Sequence, residues 1–344
     1  MRTTSSSTSS SDRGGEEARR WRAFAWTFAG VAAGAFALAV AALLALDPYD
    51  TGRHGLFGRV GPHSGGAWRV NASRAADPAF NAAVIGNSRM QMLQPWTLDA
   101  LTGLRFVNLA VPGSAPEEMR LVALAFLRNH PQTGALVMGV DEWWCEPQLR
   151  SREKFPAWLY SDDPVAYFTG LLRWQSLEMI PRRLARLLGR SPAARPDGYE
   201  DYTVHYARLT GAERAQRRMQ DGSGPWDSDN PGARFPAVAV LADILAAAPA
   251  GAPVALVWPP THVSRLPQPG SPAATTAALC RKALAEAAER RGRVVFVDWG
   301  GDLPVNRDSR NFHDETHYVR AVAERLSAAV GEALARLAQD AEGS

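Results

Sequence analysis

Five short apolar runs, at residues 82–86, 104–111, 134–140, 252–260 and 292–299, limit what this chain can fold into. Each has the length of a strand, and their near-continuous apolar character calls for cover on both faces. Helical patterns lie between and after them, at residues 95–101, 116–129, 272–291 and 318–338. Strands alternating with helices predict an α/β fold built on a parallel sheet with helices on both sides. Such a sheet places its functional residues beyond the carboxyl ends of its strands. The stretch 143–236 is too long for a connection and reads as a largely helical insertion capping the sheet, with its helical part at residues 164–188.

The N-terminal region has a different character. Residues 1–22 read as a disordered tail, Ser/Thr-rich at first and then basic through Arg13, Arg19, Arg20 and Arg22. Residues 23–46 carry no charge and are rich in Ala, Leu, Val and Phe. That length suffices to cross a hydrocarbon core, which takes roughly 20 helical residues, and exceeds a signal-peptide apolar core of about 7–15. The arginines before it predict a cytoplasmic tail, a signal anchor in the inner membrane, and a periplasmic or extracellular domain. The Ala-Leu-Ala triplet at 37–39 leaves cleavage open. Residues 47–80 read as a lead-in without elements, and residues 81–340 as the α/β domain.

Composition narrows the function classes. The net charge is +3 and the arginines form no stripe interleaved with aromatics, which predicts no nucleic-acid partner. The two cysteines, Cys145 and Cys280, fit neither a disulfide framework nor a metal site, and two free thiols or one bridge both remain open. Zinc-type spacing and a Gly-rich phosphate loop are absent, so no metal and no cofactor is expected.

The first run ends in "AVIGNSRM", which sets Ser88 directly beyond a strand, between Asn87 and Arg89. A serine hydroxyl becomes a nucleophile only when a base takes its proton, and the base needs a group that fixes its tautomer. Near the other end, "NFHDETHY" sets Asp314 three residues before His317, a spacing that brings both side chains to one side of a turn. Singly, each residue has an ordinary explanation as a turn residue, a helix cap or a structural histidine. Jointly, on one rim, they form a candidate Ser–His–Asp site. Gly113, in "NLAVPGS" after the second run, is placed to offer a backbone N–H to an oxyanion beside that of Ser88.

These blocks, "GNSR", "NLAVPGS" and "DETH" in that order, resemble those of the SGNH (GDSL-like) hydrolase superfamily. The resemblance implies a flavodoxin-like three-layer parallel sheet, with Ser88 as nucleophile, Asp314 and His317 completing the triad, and Ser88 and Gly113 forming the oxyanion hole. It also implies a serine esterase or acyltransferase acting on an acylated, by expectation O-acetylated, envelope or exported polysaccharide. One block departs: the family's third carries an Asn that donates to the oxyanion, and here the third run ends "GVDEWW" with Asp141. An ionised carboxylate opposes an oxyanion, so either another donor substitutes, Arg89 pairs with Asp141, or the domain is a catalytically impaired glycan-binding or assembly protein. Among the aromatics after that run, Trp143 is expected to face the site and Trp144, Trp158, Tyr160 and Trp174 to pack the insertion.

Overall fold

The computed structural model describes residues 10–62, 65–149, 154–207 and 224–342. Its centre is a five-stranded, all-parallel sheet of β1 (Ala82–Ile85), β2 (Phe106–Asn108), β3 (Ala135–Gly139), β4 (Val254–Trp258) and β5 (Val294–Asp298), in the order β2-β1-β3-β4-β5. The order reverses beside β1, which opens a crevice at the carboxyl ends of β1 and β3. Helices α3 (Pro95–Thr102), α4 (Pro116–Asn129), α10 (Pro236–Ala247) and α11 (Pro272–Arg291) each begin with proline, whose fixed φ and missing N–H suit the first helical position. Short α12 (Pro304–Arg307) and long α13 (Arg320–Glu342) follow β5.

Alternate strand residues feed two cores. Ala83, Ile85, Leu136, Met138 and Leu256 pack under α4, α10 and α11, through side chains such as Phe126, Ile244 and Leu284. Ala82, Val84, Val137, Ala255 and Val257 pack against α3 and α13, through Leu98, Val322 and Leu326. The sheet therefore lies between two helical layers, and this double cover is why its strands read as continuous apolar runs.

Register then fixes what meets on the rim. Ile85, Met138 and Leu256 are direct partners across β1, β3 and β4. Three residues beyond that level stand Ser88, Asp141 and Pro259. Gly86 and Gly139 lie side by side beneath them because a Cβ at either position would run into Met90, whose side chain fills the space over the strand ends.

Three regions differ from the sequence reading. Helix α1 (Ser10–Leu46) starts well inside the expected tail, since "EEARRWRAFA" is made of good helix formers and continues a helix already nucleated by the apolar run. Residues 1–9 lie outside the described residues. Within α1, Gly15–Leu46 is long and apolar enough to cross a membrane. The expected lead-in is part of the fold: it holds α2 (Ala67–Arg74) and buries Asp47, Tyr49, Asp50 and Thr51. The insertion divides into α5 (Ala157–Tyr160), α6 (Pro164–Leu171), α7 (Trp174–Leu177), α8 (Ile180–Leu187) and α9 (Thr203–Ala207). Its first helices pack on α2, on α4 and around the end of α1 rather than over the sheet, and α9 reaches the rim together with Tyr202 just before it.

Cys145 and Cys280 form a disulfide that ties the turn after β3 to α11 across a sequence separation of 135 residues. Cross-links closing long loops stabilise by roughly 2–5 kcal/mol. The paired variant Cys145→Ser/Cys280→Ser, and reduction of the wild type, are each expected to lower the thermal midpoint of the detergent-solubilised full chain. An unchanged midpoint in both rules out a structural bridge.

Candidate active site

Ser88 opens a single 3-10 turn (Ser88–Met90) immediately after β1. Asn87 shapes the turn: its Oδ1 accepts from the Arg89 N–H at 3.1 Å, leaving its amide free to donate elsewhere. As the first residue of the turn, Ser88 has a backbone N–H without an acceptor inside it.

Asp314 and His317 sit on a tight loop whose neck is an antiparallel bridge between Phe312 and Tyr318. Inside it, the His313 N–H donates to the His317 carbonyl at 2.7 Å, and Asp314 Oδ1 accepts from the N–H groups of Thr316 and His317, both at 2.8 Å. The aspartate thus folds the loop that carries its own histidine, a local device short polar side chains supply readily. His317 Nδ1 donates to Asp314 Oδ2 at 2.7 Å and Oδ1 at 2.9 Å, which leaves Nε2 facing Ser88 Oγ at 2.9 Å. Burial raises the pKa of Asp314, but its hydrogen bond to His317, the imidazole's charge and the Tyr206 hydroxyl outweigh burial and hold it well below the usual carboxylate range. Ser88, His317 and Asp314 therefore form one hydrogen-bonded relay in which a proton can pass from Oγ to Nε2 while Asp314 orients the ring.

Asp141, at the end of β3, accepts from Asn87 Nδ2 at 2.5 Å and from the Trp143 N–H at 3.1 Å. The pairing of Arg89 with Asp141, one of the alternatives left open by the sequence, is present at 3.7 Å, yet the nearer partner is Glu142 at 2.8 Å. The Arg89 guanidinium also donates to the carbonyls of Pro259 (2.8 Å) and Pro260 (3.2 Å) and to Thr261 Oγ1, and its own carbonyl accepts from the Tyr318 hydroxyl. The buried side chain thereby ties the loop after β1 to those after β3 and β4, and the backbone of the same residue ties it to the segment entering α13. Burial and the Glu142 carboxylate push Asp141 up to about 6, against the opposing pull of Arg89 and Asn87.

Gly113 lies in the loop after β2 at φ 66°, a left-handed conformation glycine adopts without steric cost. That loop is fastened to β1: the Val111 N–H (2.8 Å) and the Ser114 hydroxyl (3.2 Å) both donate to the Gly86 carbonyl, two residues before Ser88. No family model matches the chain, and no curated protein matches it. Among the described residues no cluster of three or more His, Cys, Asp or Glu side chains is arranged to hold a metal ion.

Sequence reasoning missed Tyr202 and Tyr206. Both come from the insertion: Tyr206 donates to Asp314 Oδ2 at 2.5 Å, and the Tyr202 ring meets the His317 ring edge-on with centroids 5.1 Å apart. Neither carries a signal in the chain, because each lies more than 100 positions from its partner. Of the aromatics the sequence singled out, Trp144 and Tyr160 are buried and Trp174 is exposed. Trp143, 36% exposed, lines a cleft of about 290 Å³ with Glu142, Glu146, Trp226 and Arg265. A larger cavity of about 670 Å³, between Leu266, Ala277 and Arg281, includes none of Ser88, Asp314 or His317 in its lining.

Two outcomes follow from the buried charges. Arg89→Ala leaves buried Asp141 without its cation and Glu142 with Arg265 alone, at 3.9 Å, and is expected to cost about 3–5 kcal/mol of unfolding free energy in denaturant titration. A loss below about 1 kcal/mol refutes the tie described above. An acid whose folded pKa is raised stabilises the fold below its ordinary value and loses that contribution as pH rises through the folded pKa. Whatever constant offset Asp141→Asn introduces, wild-type stability is therefore expected to fall relative to that variant by on the order of 2 kcal/mol between pH 4 and pH 7. Parallel stability curves across that window exclude the shift.

Proposed function

We propose that the chain is a membrane-anchored serine esterase or acyltransferase of the SGNH type. The observation that carries this reading is the contact of His317 Nε2 with Ser88 Oγ at 2.9 Å, with Nδ1 held by Asp314 at 2.7 Å. The strand order β2-β1-β3-β4-β5 is that of flavodoxin-like sheets, and Ser88 stands at its switch point, where such sheets carry their sites.

In the proposed reaction Ser88 Oγ attacks an ester carbonyl and its proton moves to His317 Nε2. The carbonyl oxygen takes up the negative charge, opposite the N–H groups of Ser88 and Gly113. Collapse expels the alkoxide, which leaves with the proton from His317, and the acyl group stays on Ser88. Water or a sugar hydroxyl then gives its proton to His317 and attacks the acyl-enzyme, and collapse breaks the bond between Ser88 Oγ and the acyl carbon as Oγ takes the proton back from His317, so hydrolysis and transfer differ only in the acceptor. Tyr206 and the loop N–H groups keep Asp314 ionised, and an ionised Asp314 stabilises the imidazolium formed in each half-reaction.

The substrate class is an O-acyl, by expectation O-acetyl, group on an envelope or exported polysaccharide. A span in α1 behind a basic N-terminal segment favours an inner-membrane protein whose domain faces the periplasm or exterior. The Cys145–Cys280 disulfide supports that side, because such bonds persist in oxidising compartments. Asp141 in place of an amide donor favours one other reading, a glycan-binding or assembly protein with little turnover.

A fluorophosphonate probe is expected to label the wild type on Ser88 and to leave Ser88→Ala and His317→Ala unlabelled. Hydrolysis of an aryl acetate is expected to fall by about 10³-fold or more in either variant and by about 10²–10⁴-fold in Asp314→Asn. Equal labelling of wild type and His317→Ala refutes the relay. Retention of acetylated polysaccharide by all variants, with no turnover by the wild type, selects the binding protein instead.

A further inference from the structure

Helix α6 is apolar on both faces, and α8 buries Arg183 while turning apolar side chains outward. On α6 and its C-cap, Val165, Phe168 and Leu172 fall at i, i+3 and i+7 and are all exposed. On α8 and its C-cap, Pro181, Leu184 and Leu188 repeat that spacing and are also exposed, with Leu188 at 63%. Trp174, on α7 between them, is 71% exposed, and Leu56 and Phe57 add two more bare apolar side chains.

All of these lie around one place, the end of α1. Leu56 donates its N–H to the Ala45 carbonyl at 2.7 Å. His54 bonds the Leu44 carbonyl at 3.0 Å and sets its ring against Phe168 at 5.8 Å. Arg183 donates to the Leu46 carbonyl at 2.9 Å and pairs with Asp50 at 2.7 Å, which fastens α8 to the last turn of α1. Helix α7 packs on the same segment.

The level is that of a bilayer surface. At about 1.5 Å per residue, a span beginning after Arg22 crosses a hydrocarbon core of about 30 Å in about 20 residues and emerges near Leu43. From Gly15 onward Leu43 is the first buried residue of α1, and the exposed apolar faces surround the turn that follows it. Arg173, Arg182 and Arg190 are exposed among them, long enough to reach headgroups; the exposed acids nearby are Asp162, Asp163 and Glu178.

We infer that α6, α7 and α8 form a collar that seats in the lipid surface, a second membrane attachment alongside α1. Its occupant is lipid: the apolar faces enter the headgroup–acyl boundary and the arginines lie at phosphate level. A helix that spans the bilayer leaves a domain free to swing about its exit point; a collar seated around that exit fixes which way the rim carrying Ser88 faces. The inference rests on the proposed span of α1, and the test separates the two.

Both cysteines of the chain are in the disulfide, so one introduced cysteine can carry a spin label. The full chain is reconstituted in phosphatidylethanolamine–phosphatidylglycerol vesicles with labels at Leu172→Cys, Leu188→Cys, Ala33→Cys inside α1, and Leu279→Cys, an exposed position on α11. Collisions with oxygen, which partitions into lipid, are compared with those of a water-soluble nickel chelate. The expected oxygen-to-nickel ratio at 172 and 188 is severalfold above that at 279 and below that at 33. A ratio at 172 and 188 equal to that at 279, with 33 still in lipid, overturns the collar and leaves the span standing. A water-like ratio at 33 overturns both. Spin–spin coupling between labels at 188 on two copies gives the face to a second chain and also overturns the proposal.

Discussion

The rim of this domain depends on a buried guanidinium. Arg89 is 3% exposed, and its partners come from three segments that the chain does not bring together by itself: Glu142 after β3 and Pro259, Pro260 and Thr261 after β4 meet the guanidinium, and Tyr318, just before α13, meets the backbone carbonyl. Two of those acceptors exist because of prolines. β4 stops where Pro259 and Pro260 remove the N–H groups a ladder needs, and their carbonyls are left for Arg89. A flat donor fork with a permanent charge can serve several such acceptors at once, which a point charge cannot. Since Ser88 precedes Arg89, whatever holds the arginine also holds the serine.

The same rim distributes the demands of a proton relay among elements of different origin. β1 and its 3-10 turn supply the hydroxyl, a loop folded by Asp314 supplies the imidazole, and the insertion supplies Tyr206 to the aspartate. The loop after β4 closes the other side, where the His262 N–H donates to the Glu315 carbonyl at 2.9 Å. Each carboxylate has its own environment. Asp314 gathers donors and stays ionised, whereas Asp141 is buried beside Glu142 and is pushed toward its neutral form. Residues of one type thus carry different proton affinities on one rim, set by their neighbours.

Much of the architecture was legible along the chain because it is local. The strands at Ala82–Ile85, Ala135–Gly139 and Val254–Trp258 lie within continuous apolar runs, and Pro116–Asn129 and Pro272–Arg291 open at prolines visible in the sequence. The pairing of Asp314 with His317 was legible for the same reason, being three residues apart. The buried lead-in around Asp47 and Tyr49 was not, because its Gly- and Asp-rich composition resembles a loop and its order comes from partners such as Arg183 and Ser176 far along the chain. Nor was the preference of Arg89 for Glu142 over Asp141, which turns on about an ångström between adjacent carboxylates.

By itself the sequence determined an α/β domain with a parallel sheet, an apolar N-terminal helix of membrane-crossing length, a serine just beyond a strand, and an Asp–His pair between the fifth strand and the last helix. Hydrophobic period and chain-breaking residues act over a few positions, so they suffice for that much. Only the tertiary structure decided that Ser88 meets His317 across 229 positions, that Cys145 bonds Cys280, that two tyrosines from the insertion close on the relay, and that α6 and α8 turn apolar faces outward beside α1. Periodicity records that a helix has an apolar side but not what covers it, and long-range partners are chosen by strand register and side-chain reach, which exist only once the layers are packed.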